Sequence, residues 1–168
     1  DNMTITRTPD IMNANGTVKE PGGYTGYKIG MILTQEYDDP TPGTNYYRLI
    51  NDGIISFMGK NSIGIQVFAK PTTAPSTIID VINNTGKNIT LGGIESYGLK
   101  LSSRILREAN GRKSVFENRG KINIKGGDGS ENSLSSGMAV LEDTTMMGNN
   151  FAIRAYKGMV VNKGTINV

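Results

Sequence analysis

The chain has 168 residues, a formal net charge of +3, 22 glycines, and neither cysteine nor histidine. Absence of cysteine excludes a disulfide framework, a thiolate nucleophile and a zinc–thiolate site, and absence of histidine excludes Ser–His and Cys–His pairs and imidazole metal ligands. Only carboxylate, Lys, Arg and Tyr chemistry remains, and basic residues spread thinly along the chain give no footprint for nucleic acid.

The length suffices for one domain with a real core. Asp1 in place of an initiator Met suggests an excised or processed chain, and the 168 residues hold no apolar leader and no membrane-length apolar run. Short β-branched runs separated by Gly, Asn, Thr and Ser predict an all-β chain with many turns.

Residues 1–50 are the less regular portion. Asn15-Gly16-Thr17-Val18 reads as a worn copy of a pattern that becomes clear later, and Tyr24-Thr25-Gly26 with Tyr27 and Ile29 as a loose copy of a second. Residues 34–48 hold Glu36, Tyr37, Asp38, Asp39, Tyr46, Tyr47 and Arg48. Carboxylates beside aromatics suit sugar rings, since acids bond hydroxyls and aromatic faces cover C–H surfaces. Two such carboxylates across a cleft could also run glycoside hydrolysis. A plain solvated Asp-Pro loop is the competing reading.

From residue 51 the repeat is regular. Asn51-Asp52-Gly53 leads into Ile55 and Phe57, and Ser62-Ile63-Gly64 into Ile65 and Val67. Asn84-Thr85-Gly86 follows with Ile89 and Leu91, one residue longer, then Ser96-Tyr97-Gly98 with Leu99 and Leu101. Asn118-Arg119-Gly120 leads into Ile122 and Ile124, Ser135-Ser136-Gly137 into Met138 and Val140, and Asn162-Lys163-Gly164 into Ile166 and Val168. A third short run, at 46–50, 78–82, 114–116 and 159–161, precedes each Asn. The glycines 53, 86, 120 and 164 step by 33, 34 and 44 residues.

Each unit thus holds three short strands with two-residue alternation, too little to bury an apolar face alone. Stacking equivalent strands closes a continuous core, and crossover handedness favours a right-handed coil. The predicted fold is a right-handed parallel β-helix of about four to five rungs, with 1–168 as one fragment whose regular rungs lie over 51–168. An antiparallel sandwich is the alternative, but it leaves the fixed order of turn residues unexplained. Asn51, Asn84, Asn118 and Asn162 are expected to stack as an amide ladder, and Gly53, Gly86, Gly120 and Gly164 as a column. The glycines serve turns needing φ > 0 or close backbone approach. Inward residues such as Ile122 and Ile124 contribute roughly 1.5–3 kcal/mol each when buried.

Three excursions leave this frame. Residues 102–113 read as a short capped helix in a loop, with Ser first and Asn-Gly last. Its Arg104, Arg107, Arg112 and Lys113 suit a sulfated or sialylated glycan, against the competing reading of a charged surface excursion. Gly126-Gly127-Asp128-Gly129-Ser130-Glu131 is one imperfect copy of a calcium nonapeptide whose chemistry needs several. Met146 and Met147 read as loop packing. No cofactor or metal is implied.

The pairing of Asn-x-Gly-x-Ile-x-Ile/Val with Ser-x-Gly-apolar-x-Val resembles the passenger repeats of large fusobacterial type V autotransporter adhesins. Residues 118–124, 135–140 and 162–168 match best, and the resemblance covers about 50–168. It implies a right-handed β-helix at the bacterial outer-membrane surface or outside the cell, exported through a translocator barrel elsewhere in the protein. It also implies attachment to a receptor or glycan on host cells or other bacteria, with no catalytic motif carried over. A purely structural stalk is one alternative. A β-helical polysaccharide lyase, hydrolase or tailspike is another, and would need carboxylates with Lys or Arg along one groove.

Overall fold

The computed structural model describes residues 9–20, 28–35, 46–69, 78–93, 95–102, 108–125, 135–141, 151–155 and 160–168. They form strands and turns with no helix among them. In chain order the strands are β1 (Ile11–Met12), β2 (Val18–Glu20), β3 (Lys28–Gln35), β4 (Tyr46–Asn51), β5 (Ile54–Phe57), β6 (Ser62–Ala69), β7 (Ile78–Asn83), β8 (Asn88–Gly92) and β9 (Tyr97–Ser102). There follow β10 (Glu108–Ala109), β11 (Arg112–Lys113), β12 (Phe116–Asn118), β13 (Lys121–Lys125), β14 (Ser136–Leu141), β15 (Phe151–Ala155), β16 (Val161–Asn162) and β17 (Thr165–Asn167).

Three sheets carry the architecture: sheet A in the order β16-β12-β7-β4, sheet B β17-β13-β8-β5 and sheet C β15-β14-β9-β6-β3. Every strand pairing within them is parallel. The chain visits C, A and B in turn three times through β13, then places both β14 and β15 in C before returning to A and B with β16 and β17. Strands adjacent in a sheet are therefore about one repeat apart in sequence, except β14 and β15, where Ser136 aligns with Phe151. That order removes the antiparallel sandwich. One apolar core draws on all three sheets: Leu49, Val81 and Phe116 from A, Ile89, Leu91 and Ile122 from B, Ile65, Leu99 and Met138 from C. Burial falls off at the ends of the stack. In the aligned column Ile55, Ile89, Ile122 and Ile166, the middle two are fully enclosed and the outer two only half-buried.

At the corner between sheets A and B an amide ladder runs through Asn51, Asn83, Asn118 and Asn162. Each Nδ2 donates to the next Oδ1 at 2.8 Å. An amide holds one NH2 and one carbonyl, so it can donate to one neighbour and accept from the other along a stack. The expected member at the second place, Asn84, is displaced by Asn83. The cause is local: Asn83 to Asn88 spans four intervening residues, where the other corners have two. The surplus closes on itself through the Lys87 N–H donating to Asn84 O at 3.0 Å, with Gly86 at φ +74°. Gly86 therefore leaves the glycine column and Lys87 fills its place, its carbonyl accepting from Lys121 N–H at 2.9 Å. Gly53, Gly120 and Gly164 keep theirs.

A second column runs along sheet C. Gly30, Gly64 and Gly98 each have space taken by the isoleucine of the facing sheet-B strand. A Cβ on Gly64 would meet Ile89 Cγ2 at 2.7 Å, and one on Gly98 would meet Ile122 Cγ2 at 2.6 Å. These glycines serve close approach and not positive φ. Gly30 occupies the first position of the column, aligned with Gly64 through Lys28↔Ser62 and Met31↔Ile65. The expected Gly26 lies outside the described residues. Serines form a parallel ladder beside it: Ser62 N–H donates to Ser96 Oγ at 3.3 Å and Ser96 N–H to Ser135 Oγ at 3.2 Å.

Two further expectations are corrected. Asn15-Gly16 is not a repeat corner but the turn of an antiparallel hairpin between β1 and β2, with Gly16 at φ +78°. Asn13 N–H closes it onto Thr17 O at 2.8 Å. Strand β15 was not anticipated; it pairs with β14 on the open edge of sheet C. Its Phe151-x-Ile153-x-Ala155 alternation is visible, but Ala152 stands where the column has glycine, so the turn signature is missing.

Candidate functional site

Strand alternation decides which of the candidate side chains can meet. Leu49 of β4 belongs to the core, so Tyr46 and Arg48 face outward from sheet A, and Tyr47 shares the face of Leu49. Tyr47 aligns with the core residue Ile79 and stays exposed because β4 is the edge strand of its sheet. The two tyrosines, adjacent in sequence, are thus separated by the sheet.

Outward from the middle of β7 projects Asp80, aligned with Arg48. It is only 5% exposed. A buried carboxylate is tolerated when its oxygens are satisfied, and here they are. Oδ1 accepts the Val115 N–H at 3.1 Å. Oδ2 accepts the Tyr46 hydroxyl, and Arg48 Nε lies 3.4 Å from it. The hydrogen bond to Asp80, with burial and the carboxylate's charge, raises the Tyr46 pKa above its usual 10, while Arg48 and Arg112 oppose the shift. The phenol is therefore held protonated, with its proton directed at Asp80.

Residues 108–113 are the second element of the site. They form an antiparallel hairpin, Glu108↔Lys113 and Ala109↔Arg112, and not the C-terminal half of a helix. Asn110 at φ +52° and Gly111 at φ +74° supply two consecutive left-handed residues, the requirement of a type I′ hairpin turn. The Asn-Gly pair that reads as a helix stop is here a hairpin turn. The guanidinium of Arg112 lies over the Tyr46 ring, 5.2 Å from its centroid. The hairpin thereby reaches back across the outer face of sheet A from β12 to β4. Lys113 Nζ lies 3.7 Å from Glu108 Oε2, both largely exposed.

Of the candidate contact residues, the structure brings together Tyr46 and Arg112 from two segments 66 residues apart, and leaves Tyr47 on the other face of its strand. Lys113 closes an ion pair within its own hairpin. Glu36, Tyr37, Asp38, Asp39, Arg104 and Arg107 lie outside the described residues, as do the Gly126-to-Glu131 run and Met146 and Met147. Asp80 was missed by sequence reasoning. Its signal was present: one acid inside the apolar strand Ile78-Ile79-Asp80-Val81-Ile82, where burial demands partners.

A second charged cluster sits further along the same sheet. Glu117 accepts from Arg119 Nε at 2.5 Å and from Lys163 Nζ at 2.9 Å. The hydrogen bond from Lys163 lowers its pKa, against desolvation and with help from Arg119. This ties the third repeat to the fourth. On sheet C, Lys100 Nζ lies 4.7 Å from the Tyr97 ring centroid, and burial lowers its pKa. Among the described residues no group of three acidic side chains is placed to hold a metal ion, and no helix is long and apolar enough to cross a membrane.

No protein-family model, no curated protein and no solved structure matches the chain.

Proposed function

We propose that the chain is a stretch of right-handed parallel β-helix from the surface-displayed passenger of a bacterial autotransporter adhesin. It is a stiff scaffold whose outer face attaches to receptors or glycans on host cells or other bacteria. It acts by binding and not by turnover, and needs no cofactor. The observation that carries this reading is the recurrent C–A–B order of parallel strands around one shared core, locked at a corner by the Asn ladder. Such a stack is rigid and extensible, the properties a display rod requires, and it supports loops and hairpins on its flanks.

Export and membrane attachment belong to this proposal through a translocator barrel encoded outside these residues. The test is direct: fluorescently labelled chain is titrated onto host epithelial cells and onto other bacteria. Saturable binding that falls when residues 103–113 are replaced by a short Gly-Ser linker is expected. Absence of binding to either would make the segment a stalk. Release of new reducing ends from an oligosaccharide panel would make it an enzyme.

A further inference from the structure

We propose that the outer face of sheet A around Tyr46 is a subsite for an acidic saccharide, a sugar ring bearing one carboxylate or sulfate. This names the ligand class of the adhesive surface and so rests on that reading.

The charge balance comes first. Two guanidiniums bracket one phenol. Arg48 stands at the hydroxyl end, 3.4 Å from the Asp80 oxygen that takes the Tyr46 proton, and Arg112 stands over the ring face. One carboxylate faces these two cations. It is buried and committed to Tyr46, Arg48 and Val115 N–H, while Lys113 and Glu108 offset each other. The surplus is a single positive charge, carried by forked donors whose geometry matches a carboxylate or sulfate. Arg48 is 55% exposed and Arg112 is exposed, so both can turn donors to a ligand.

The phenol supplies the part of recognition that is not charge. Because its proton goes to Asp80, the Tyr46 oxygen presents lone pairs outward as an acceptor for a sugar hydroxyl. Tyr46 is 37% exposed, so its ring can cover C–H surface. Every member is on a strand or a tight hairpin, so little backbone ordering is needed on binding. A nucleic acid would need a track of cations along the surface. Here the basic groups are interrupted by Glu108 and by Asp52, which faces Lys87 at 3.8 Å.

The test uses the whole chain in about 150 mM salt, titrated with sialyllactose, a chondroitin sulfate tetrasaccharide, lactose, an oligothymidine and a poly-glutamate peptide. The acidic saccharides are expected to bind at least about tenfold tighter than lactose and the two unrelated polyanions. Arg112→Gln, which leaves the Asp80 contacts in place, should weaken saccharide binding about tenfold or more. Lys121→Ala, an exposed cation on sheet B, should leave it unchanged. Unaltered circular dichroism shows that the variants fold. Equal binding of lactose, equal binding of either polyanion, an equal loss with Lys121→Ala, or no loss with Arg112→Gln would overturn the proposal. Cell binding without saccharide binding would end this inference and spare the adhesive reading; saccharide binding without cell binding would do the reverse.

Discussion

Asn83 Nδ2 donates to Asn118 Oδ1 across 2.8 Å between two side chains that are both fully enclosed. The bond joins residues 35 apart in sequence and is one link of a ladder that fixes the stacking register. The inner amides, Asn83 and Asn118, are used on both sides, so removing one takes a partner from a donor and from an acceptor.

Asn83→Ala is accordingly expected to cost about 2–4 kcal/mol, the penalty for two buried groups left without partners. Asn84→Ala, one residue away on a half-exposed corner, is expected to change stability by less than about 0.5 kcal/mol. Urea denaturation of both variants measures the difference, and equal losses would remove the ladder's role.

The sheet-C glycines make a second prediction. A Cβ on Gly98 would lie 2.4 Å from Gly137 O and 2.6 Å from Ile122 Cγ2, contacts that force backbone and core to shift. Gly53 has nothing within 4 Å and no positive φ. Gly98→Ala should destabilise by at least about 1–3 kcal/mol, and Gly53→Ala should be neutral or slightly stabilising. Thermal melts of the pair settle it.

Much of this architecture was legible in the sequence, for a physical reason. A stacked repeat imposes the same constraint at every level, so Asn, Ser, Gly and aliphatic positions recur where bonding and packing recur. Reading failed where one level departs from the others. Two surplus residues between Asn83 and Asn88 moved the ladder from Asn84 to Asn83 and lifted Gly86 out of line. Ala152 in a glycine position hid β15. Asn110-Gly111 satisfies both a helix stop and a hairpin turn, and only long-range contact with Tyr46 selects between them. The candidate site was half legible. Its exposed aromatic and basic members stood out, but the Tyr46–Arg112 contact and the orienting Asp80 depend on which strands become neighbours.

Tyr46 gives a spectroscopic prediction. Its pKa is raised, first by the hydrogen bond to Asp80, so the folded state holds the proton more tightly than the unfolded state does. The stabilisation from this group is complete below the usual value near 10 and is lost as pH rises through the raised one. In an absorbance titration at alkaline pH, Tyr46 should ionise later than an exposed phenol. Tyr46→Phe should reduce the late-ionising component by one phenol, and a late component of unchanged size in the variant would contradict the assignment.

Glu117 predicts behaviour at the acid end. Its pKa is lowered below 4.5, first by the Lys163 hydrogen bond. A depressed carboxylate contributes stability above its unfolded pKa and loses it as pH falls from about 4.5 through the lowered value. Glu117→Gln should therefore be less stable than the parent at pH 7 and converge with it at the acid end. Parallel melts from pH 7 to pH 3 check this, and a constant gap across that range would contradict it.

The most direct measurement of the stacking itself is a nuclear Overhauser spectrum of chain labelled with 15N at asparagine alone. The account predicts cross-peaks linking the side-chain NH2 protons of Asn51 with Asn83, Asn83 with Asn118, and Asn118 with Asn162, with Asn84 absent from the series. Cross-peaks through Asn84, or no contacts between these amides, would contradict the parallel register on which the fold and the site both stand.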